Sequence, residues 1–324
     1  MNYRTLGRTG LKVSEIGYGA WGIGGKQWLG GRDEESLAAL RRSIELGLNF
    51  IDTALAYGDG HSEQLVGQVV RESPQTVYVA TKIPPKNGIW PAQPGVPIRE
   101  VFPYDYCIRS TENSLRNLQR ETIDLQQLHV WNPDFTLSDE WRRAAEDLKR
   151  SGKVRYFGIS IGEHVPDTAL DAIATGLIDA VQVIYNVFDQ TPEERLFPAT
   201  LQHNVGVLAR VPLDEGGLTG KLRAGTTFPP GDFREFYFRG DRKKQVEDRV
   251  GLLEAELASI QYIEPLAETA LRFCLSHPAV STVIPGMRSV RNAEANCSVS
   301  DRGGLNPDVL SHLKRHAWYR NFYN

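Results

Sequence analysis

Short, nearly continuous apolar runs alternate along the chain with longer stretches whose apolar positions recur at three- and four-residue spacing. The runs are 16–20 (IGYGA), 49–54 (NFIDTA), 77–82 (VYVATK), 123–130 (IDLQQLHV), 156–160 (YFGIS), 180–186 (AVQVIYN), 206–212 (GVLARVP) and 281–286 (STVIPG). They are rich in β-branched residues and lack clean in-out alternation, as expected of parallel strands buried on both faces. The stretches between them read as amphipathic helices. Residues 34–47 place Leu37, Leu40 and Ile44 on one face and stop at Gly47; residues 105–119 do the same with Ile108, Thr111, Leu115 and Leu118. Leu137, Trp141, Ala144 and Leu148 form a third stripe that ends before Gly152, and Thr191 to Glu194 reads as a capping box with Pro192 at the first helical position. This rhythm predicts an α/β fold, a (β/α)₈ TIM barrel occupying residues 1–324 as one domain.

Three segments stand outside the rhythm. Residues 3–13 (YRTLGRTGLKV) carry a glycine turn between two β-prone runs and predict a hairpin closing one end of the barrel. Residues 83–104, with Pro84, Pro85, Pro91, Pro94, Pro97 and Pro103, and residues 213–240, with Pro229 and Pro230, are too rich in helix breakers to be continuous helix. Both follow strands, so both belong to the C-terminal rim, where barrel active sites are built.

Composition narrows the function classes. Hydrophobic residues at 41% and charged residues at 24% exclude disorder. A net charge of -3, with no Lys/Arg stripe interleaved with aromatics, argues against nucleic acid or an anionic membrane as the primary partner. Cys107, Cys274 and Cys297 have neither CxxC nor metal-ligand spacing, so we expect structural thiols in a reducing compartment and no metal site. No apolar run of signal-peptide or membrane-spanning length occurs, which predicts a soluble, cytoplasmic protein acting on a small molecule.

Gly17 to Gly22 (GYGAWG) satisfies G-x-G-x-x-G, but the context of a Rossmann fingerprint is missing. The glycines run on through Gly24, Gly25, Gly30 and Gly31 instead of opening a helix, and the next strand lies past residue 48.

Four ionisable residues fall at or just beyond the ends of three strands on one rim: Asp52 and Tyr57 in DTALAYG, Lys82 in VATK and His129 in LQQLHVW. A lysine ending such an apolar run would be buried and would need a partner, and Asp52 is the obvious one. An ammonium beside Tyr57 would favour its phenolate and lower its pKa, making it a general acid near neutral pH. His129 would orient the oxygen that receives the proton. Protonating a carbonyl oxygen calls for a hydride donor as well, and a nicotinamide cofactor completes the set.

With these residues in hand, the sequence closely resembles the aldo-keto reductase superfamily. The likeness continues through Ser62-Glu63, Gly158-Ile159-Ser160, QVIYN at 182–186, LTGK at 218–221 and VIPG at 283–286, nearly the whole chain. The resemblance implies an enzyme, monomeric or weakly self-associating, that binds NADP(H) in extended form and reduces aldehydes or ketones, with Tyr57 as acid, Lys82 and Asp52 tuning it, and His129 positioning the carbonyl. It implies Ala20 and Trp21 beside the nicotinamide ribose, Ser160 and Gln182 at the carboxamide, and Leu213 and Lys221 at the pyrophosphate. It places Gly286, Arg288, Asn292 and Asn296 at the adenosine end. Arg288 is the candidate for a 2′-phosphate, which favours NADP(H) over NAD(H).

The chain also departs from the family. Ile161 stands where an Asn commonly gives a second carboxamide contact, and Ala295 where a Glu is frequent. Arg210 stands where many members stack an aromatic ring on the nicotinamide; a planar guanidinium can stack too, and it adds a charge. The substrate cleft is expected to be lined by Trp21, Tyr57, Trp90, His129 and Trp131, with Phe188 near Tyr185, and to suit an apolar carbonyl compound or a keto-sugar. Two alternatives stay open: an NADP(H)-binding redox-sensing subunit with little turnover, and an isomerase or hydrolase using Asp52 or Glu63 as base.

Overall fold

A computed structural model describes all 324 residues. The chain opens with an antiparallel hairpin, β1 (Tyr3–Thr5) and β2 (Lys12–Ser14), and then enters the barrel. In chain order follow β3 (Tyr18–Gly19), α1 (Asp33–Glu45), β4 (Phe50–Asp52), α2 (His61–Glu72), β5 (Tyr78–Ile83), α3 (Ile98–Val101), α4 (Tyr104–Leu118) and β6 (Ile123–Leu128). The second half runs α5 (Asp139–Arg150), β7 (Val154–Ser160), α6 (Leu170–Ala174), β8 (Ala180–Ile184), α7 (Leu196–His203), β9 (Gly206–Arg210) and α8 (Phe233–Tyr237). It ends with α9 (Arg242–Ser259), α10 (Leu266–Leu275), β10 (Thr282–Val283), α11 (Val290–Ser298) and α12 (Pro307–Lys314).

Strands β3 to β10 pair in sequence order as one parallel eight-stranded sheet. The sheet closes on itself through the Ile16–Val283 and Gly19–Gly286 bridges, with Gly17 N donating to Val283 O at 2.8 Å and Val283 N to Glu15 O at 2.9 Å. Closure needs glycine at position 19, where a Cβ would stand 2.6 Å from the carbonyl oxygen of Ile284. Backbone cannot yield as a side-chain tip can, so Gly19→Ala is expected to destabilise the protein by about 1–3 kcal/mol, read by urea denaturation. An unchanged midpoint would mean that the seam is looser than described.

Alternation within the strands sorts the barrel interior into layers. Phe50, Ala80, Leu125, Ala180, Leu208 and Ile284 form one buried apolar cluster with Leu6, Leu11 and Val13 of the hairpin, which therefore plugs the N-terminal end. Two residues further along the same strands come Asp52, Lys82, Gln127, Gln182 and Arg210, with Gly286 following Ile284. The change from apolar to polar occurs in a single step of the pleat, towards the C-terminal rim.

Several sequence expectations change. Leu137 lies before α5 and is 77% exposed; the helix is capped by Ser138, whose side chain accepts from Glu140 N, and buries Trp141, Ala144, Ala145 and Leu148. No capping box forms at Thr191: the Glu194 N–H goes to the Thr191 carbonyl and not to its side chain, whose hydroxyl donates to Asp189 at 2.6 Å, and the segment makes only a 3₁₀ turn before α7. The run 281–286 keeps two residues of regular strand, Thr282 and Val283. The chain's end, residues 315–324, lies against the 213–240 connection: Arg320 pairs with Asp214 and Tyr323 Oη donates to Glu215 at 2.7 Å. No helix is long and apolar enough to cross a membrane.

Candidate active site

The polar layer forms one hydrogen-bonded chain. Lys82 Nζ, fully buried, donates to Asp52 Oδ2 at 2.6 Å, to the Thr53 carbonyl at 2.8 Å and to Tyr57 Oη at 3.2 Å. Three acceptors match the three protons of an ammonium, so nothing on it is left unsatisfied. The other carboxylate oxygen, Oδ1, accepts from Gln182 Nε2 at 2.8 Å and Gln127 Nε2 at 3.3 Å. Asp52 is thereby held by β5, β6 and β8 together.

Burial works against the Lys82 charge, but Asp52, then Tyr57, outweigh it and hold its pKa above the ordinary lysine value. For Tyr57 the outcome differs from the sequence expectation. Lys82 does favour the phenolate, yet burial opposes it more strongly and Asp52 adds to that, so the phenol pKa is raised. Tyr57 is thus protonated through neutral pH, with a cation waiting beside its oxygen.

His129 follows β6 and meets the Tyr57 ring edge-on at 5.5 Å. Burial, Lys82 and Arg210 push its pKa well below the usual imidazole value, so the ring is neutral. Its Nδ1 is buried without a partner. The tautomer with the proton on Nε2 therefore leaves no orphaned donor and gives the cleft one N–H. Trp90 stands perpendicular to His129 at 4.5 Å, and Trp21 stacks on Tyr57 at 6.2 Å, so two tryptophans flank the pair. Trp21 also meets Phe233 at 4.8 Å and Trp28 at 5.7 Å, which joins the cleft wall to the 213–240 connection.

This arrangement can deliver a proton from Tyr57 to an oxygen that His129 also contacts. Residues 15–317 match the model of the aldo/keto reductase family. The chain belongs to that family. It is 30% identical over 304 residues to Aldo-keto reductase YhdN of Bacillus subtilis (strain 168), covering 91% of this chain and 87% of that protein. Among solved structures it resembles the holo form of an aldo-keto reductase from Bacillus halodurans, with a TM-score of 0.77 at 29% identity and 100% coverage of both chains. An aldo/keto reductase from Klebsiella pneumoniae in complex with NADP and acetate gives a TM-score of 0.70 at 26% identity, over 97% of this chain and 95% of that one.

In this aldo/keto reductase the remaining expected residues separate into two groups. Ala20 is buried, with its N–H on Asp52 O and its carbonyl accepting from Ser62 Oγ, and Ser160 is buried at the end of β7. Gln182, expected at a carboxamide, turns its Nε2 to Asp52 and to Gln127 Oε1 at 3.3 Å, while its own Oε1 has no hydrogen-bond partner within the protein. Further out, Leu213 accepts from Gly216 N and Leu218 N and so shapes the turn before Lys221, which is exposed. Gly286 faces open space; Asn292 is exposed on α11, and Asn296 is buried one turn later. Arg288 packs over Gly22 with Nη1 on the Leu29 carbonyl at 2.9 Å, and Arg234 lies over the same Trp28 ring. Burial and then Arg234 lower the Arg288 pKa. Neither Arg288 nor Lys221 is paired with a carboxylate of the chain, so both can receive an anionic ligand.

Two expectations are corrected by packing. Trp131 is only 3% exposed, donates its indole N–H to Thr168 O at 3.0 Å and meets Phe135 and Trp141 edge-on, so its ring belongs to the core and not to a cleft. Phe188 is likewise buried, against Trp318. Glu63, the alternative base, is fully buried and accepts from Thr81 Oγ1 at 2.6 Å and Asn117 Nδ2 at 2.8 Å, which leaves it no route to a substrate. Gln127 was not anticipated; its signal was a polar residue two positions beyond an inward-facing Leu125.

Proposed function

We propose that this protein is an NADP(H)-dependent oxidoreductase that reduces an aldehyde or ketone to an alcohol, with Tyr57 as general acid. The observation that carries this reading is the buried ammonium of Lys82 bonded at once to Asp52 Oδ2 (2.6 Å) and Tyr57 Oη (3.2 Å). A phenol transfers its proton readily only if the resulting phenolate is stabilised, and Lys82 supplies that stabilisation without moving. His129 Nε2 donates to the same substrate oxygen and fixes its position.

The residues present fit a phosphorylated dinucleotide. Arg288 and Lys221 offer unpaired positive charge, Gly286 leaves open room, and Arg288 can meet a 2′-phosphate with two parallel N–H groups. When bound, the nicotinamide supplies the hydride. Trp21 and Trp90 form flat, apolar walls that suit an aromatic or aliphatic carbonyl compound and also a keto-sugar ring. The buried free thiols Cys107, Cys274 and Cys297 fit a cytoplasmic setting. The redox-sensor reading is weaker, because Lys82 is bonded to both Asp52 and Tyr57 and His129 stands against the Tyr57 ring, an arrangement suited to turnover.

Purified protein is expected to consume NADPH, followed by absorbance, when 4-nitrobenzaldehyde is added; absence of consumption across aldehydes, ketones and keto-sugars would favour the sensor reading. Arg288→Ala is expected to weaken NADPH by roughly 10-fold or more while changing NADH little, since a charged hydrogen bond contributes about 1.5–3 kcal/mol. Equal losses for both would remove Arg288 from the 2′-phosphate.

A further inference from the structure

Arg210 ends β9 and belongs to the same inward layer as Asp52, Lys82, Gln127 and Gln182. Its side chain crosses the barrel mouth: Nη2 donates to the carbonyl of Ile161, just past β7, at 3.1 Å, and lies 3.5 Å from Glu163. Strand β8 lies between β9 and β7, so the guanidinium spans three strands. Only Nη2 is engaged. Nε is buried without an acceptor, and Nη1 makes no hydrogen bond within the protein. A guanidinium has donors alone, so its unused donors are free to serve an acceptor on a bound molecule.

We propose that Arg210 receives the carboxamide oxygen of the nicotinamide ring, Nη1 being the open donor, and places a fixed positive charge beside that ring. The assignment rests on the NADP(H) reading. A ring that delivers hydride must lie next to the carbonyl carbon whose oxygen is held by Tyr57 and His129, within the rim that Arg210 crosses. Its single polar substituent is a carboxamide, whose oxygen can only accept. The neighbouring amide that would compete for it, Gln182, already donates to Asp52. Its charge also acts on the reacting groups: it adds to the lowering of the His129 pKa and works against the rise that burial imposes on Tyr57.

The charge has a second consequence. Oxidised nicotinamide is cationic and the reduced ring is neutral, so a nearby guanidinium disfavours NADP⁺ relative to NADPH. Glu163 offsets part of this charge, and Glu215, on the connection after β9, adds to the offset. The hydrogen bond therefore carries the larger effect.

Protein fluorescence titration of the parent, Arg210→Met and Arg210→Lys tests the assignment with three probes: NADPH, NADP⁺ and 2′-phospho-ADP-ribose, which lacks the nicotinamide ring. The Met variant is expected to lose roughly 10- to 100-fold in NADPH affinity, the size of one charged hydrogen bond. It should lose less for NADP⁺ and nothing for 2′-phospho-ADP-ribose, and Lys should recover part of the loss. Parent-like NADPH binding by Arg210→Met would overturn the assignment, as would an equal loss for all three probes, which marks a structural role. Failure of the parent to bind NADPH would overturn the cofactor reading and this assignment with it.

Discussion

Tyr57→Phe is expected to lower the rate of carbonyl reduction by about 10²–10⁴-fold, the usual contribution of a positioned general acid. Its effect on NADPH affinity should be small, because the hydroxyl contacts Lys82 Nζ (3.2 Å) inside the protein and the ring keeps its place against Trp21 and His129. The pH profile follows from the same group. Burial raises the Tyr57 pKa, so the phenol is the populated form through neutral pH and reduction should be flat there, falling only at alkaline pH as the acid is lost. Alcohol oxidation needs the phenolate and should rise with pH over the same range. Steady-state kinetics in both directions check this. A Phe variant with parental kcat would show that the proton comes from elsewhere.

The second large effect is on stability. Lys82→Met removes an ammonium that is fully buried and leaves the Asp52 carboxylate, 3% exposed, without its cation. Removing one partner of such a pair costs about 3–5 kcal/mol, because the remaining charge is desolvated and unpaired. Gln182 and Gln127 soften the loss but cannot neutralise it. The double variant Asp52→Asn/Lys82→Met should regain much of the stability and none of the turnover. Urea denaturation of both variants, alongside activity, separates the two roles, and a fully stable Lys82→Met would show that the pair is not held as described.

The strands were legible because a parallel strand covered on both faces leaves a continuous apolar run, and the four catalytic candidates because each is an ionisable residue at or just beyond the end of such a run. What was misread depends on neighbours distant in sequence. Trp131 follows His129 by two residues, but both lie past the end of β6, where alternation no longer sets direction, and its ring packs against Phe135 and Trp141. Leu137 keeps helical spacing with Trp141, yet Ser138 starts the helix after it. Thr191 opens only a 3₁₀ turn, in which the Glu194 N–H reaches its carbonyl and not its hydroxyl.

The sign of the Tyr57 shift could not be read from Lys82 alone, because desolvation depends on everything packed around the ring. The polar layer itself was present in the sequence as a two-residue offset from the apolar plug: Phe50 and Asp52, Ala80 and Lys82, Leu125 and Gln127, Ala180 and Gln182, Leu208 and Arg210. Reading that offset would have placed Gln127 beside Asp52 and Arg210 on the rim with them. The docking of residues 315–324 onto Asp214 and Glu215 left no local signal, since its partners lie about a hundred positions away.

The central claim is that this chain moves a hydride from NADPH to a carbonyl carbon while Tyr57 protonates the oxygen. It is tested most directly by incubating the protein with NADPH deuterated at the transferable C4 position and an aromatic aldehyde, then analysing the alcohol by mass spectrometry. The account predicts one deuterium on the carbinol carbon of the parent's product and almost no alcohol from Tyr57→Phe. Alcohol formed without deuterium, or formed equally by the Phe variant, would contradict it.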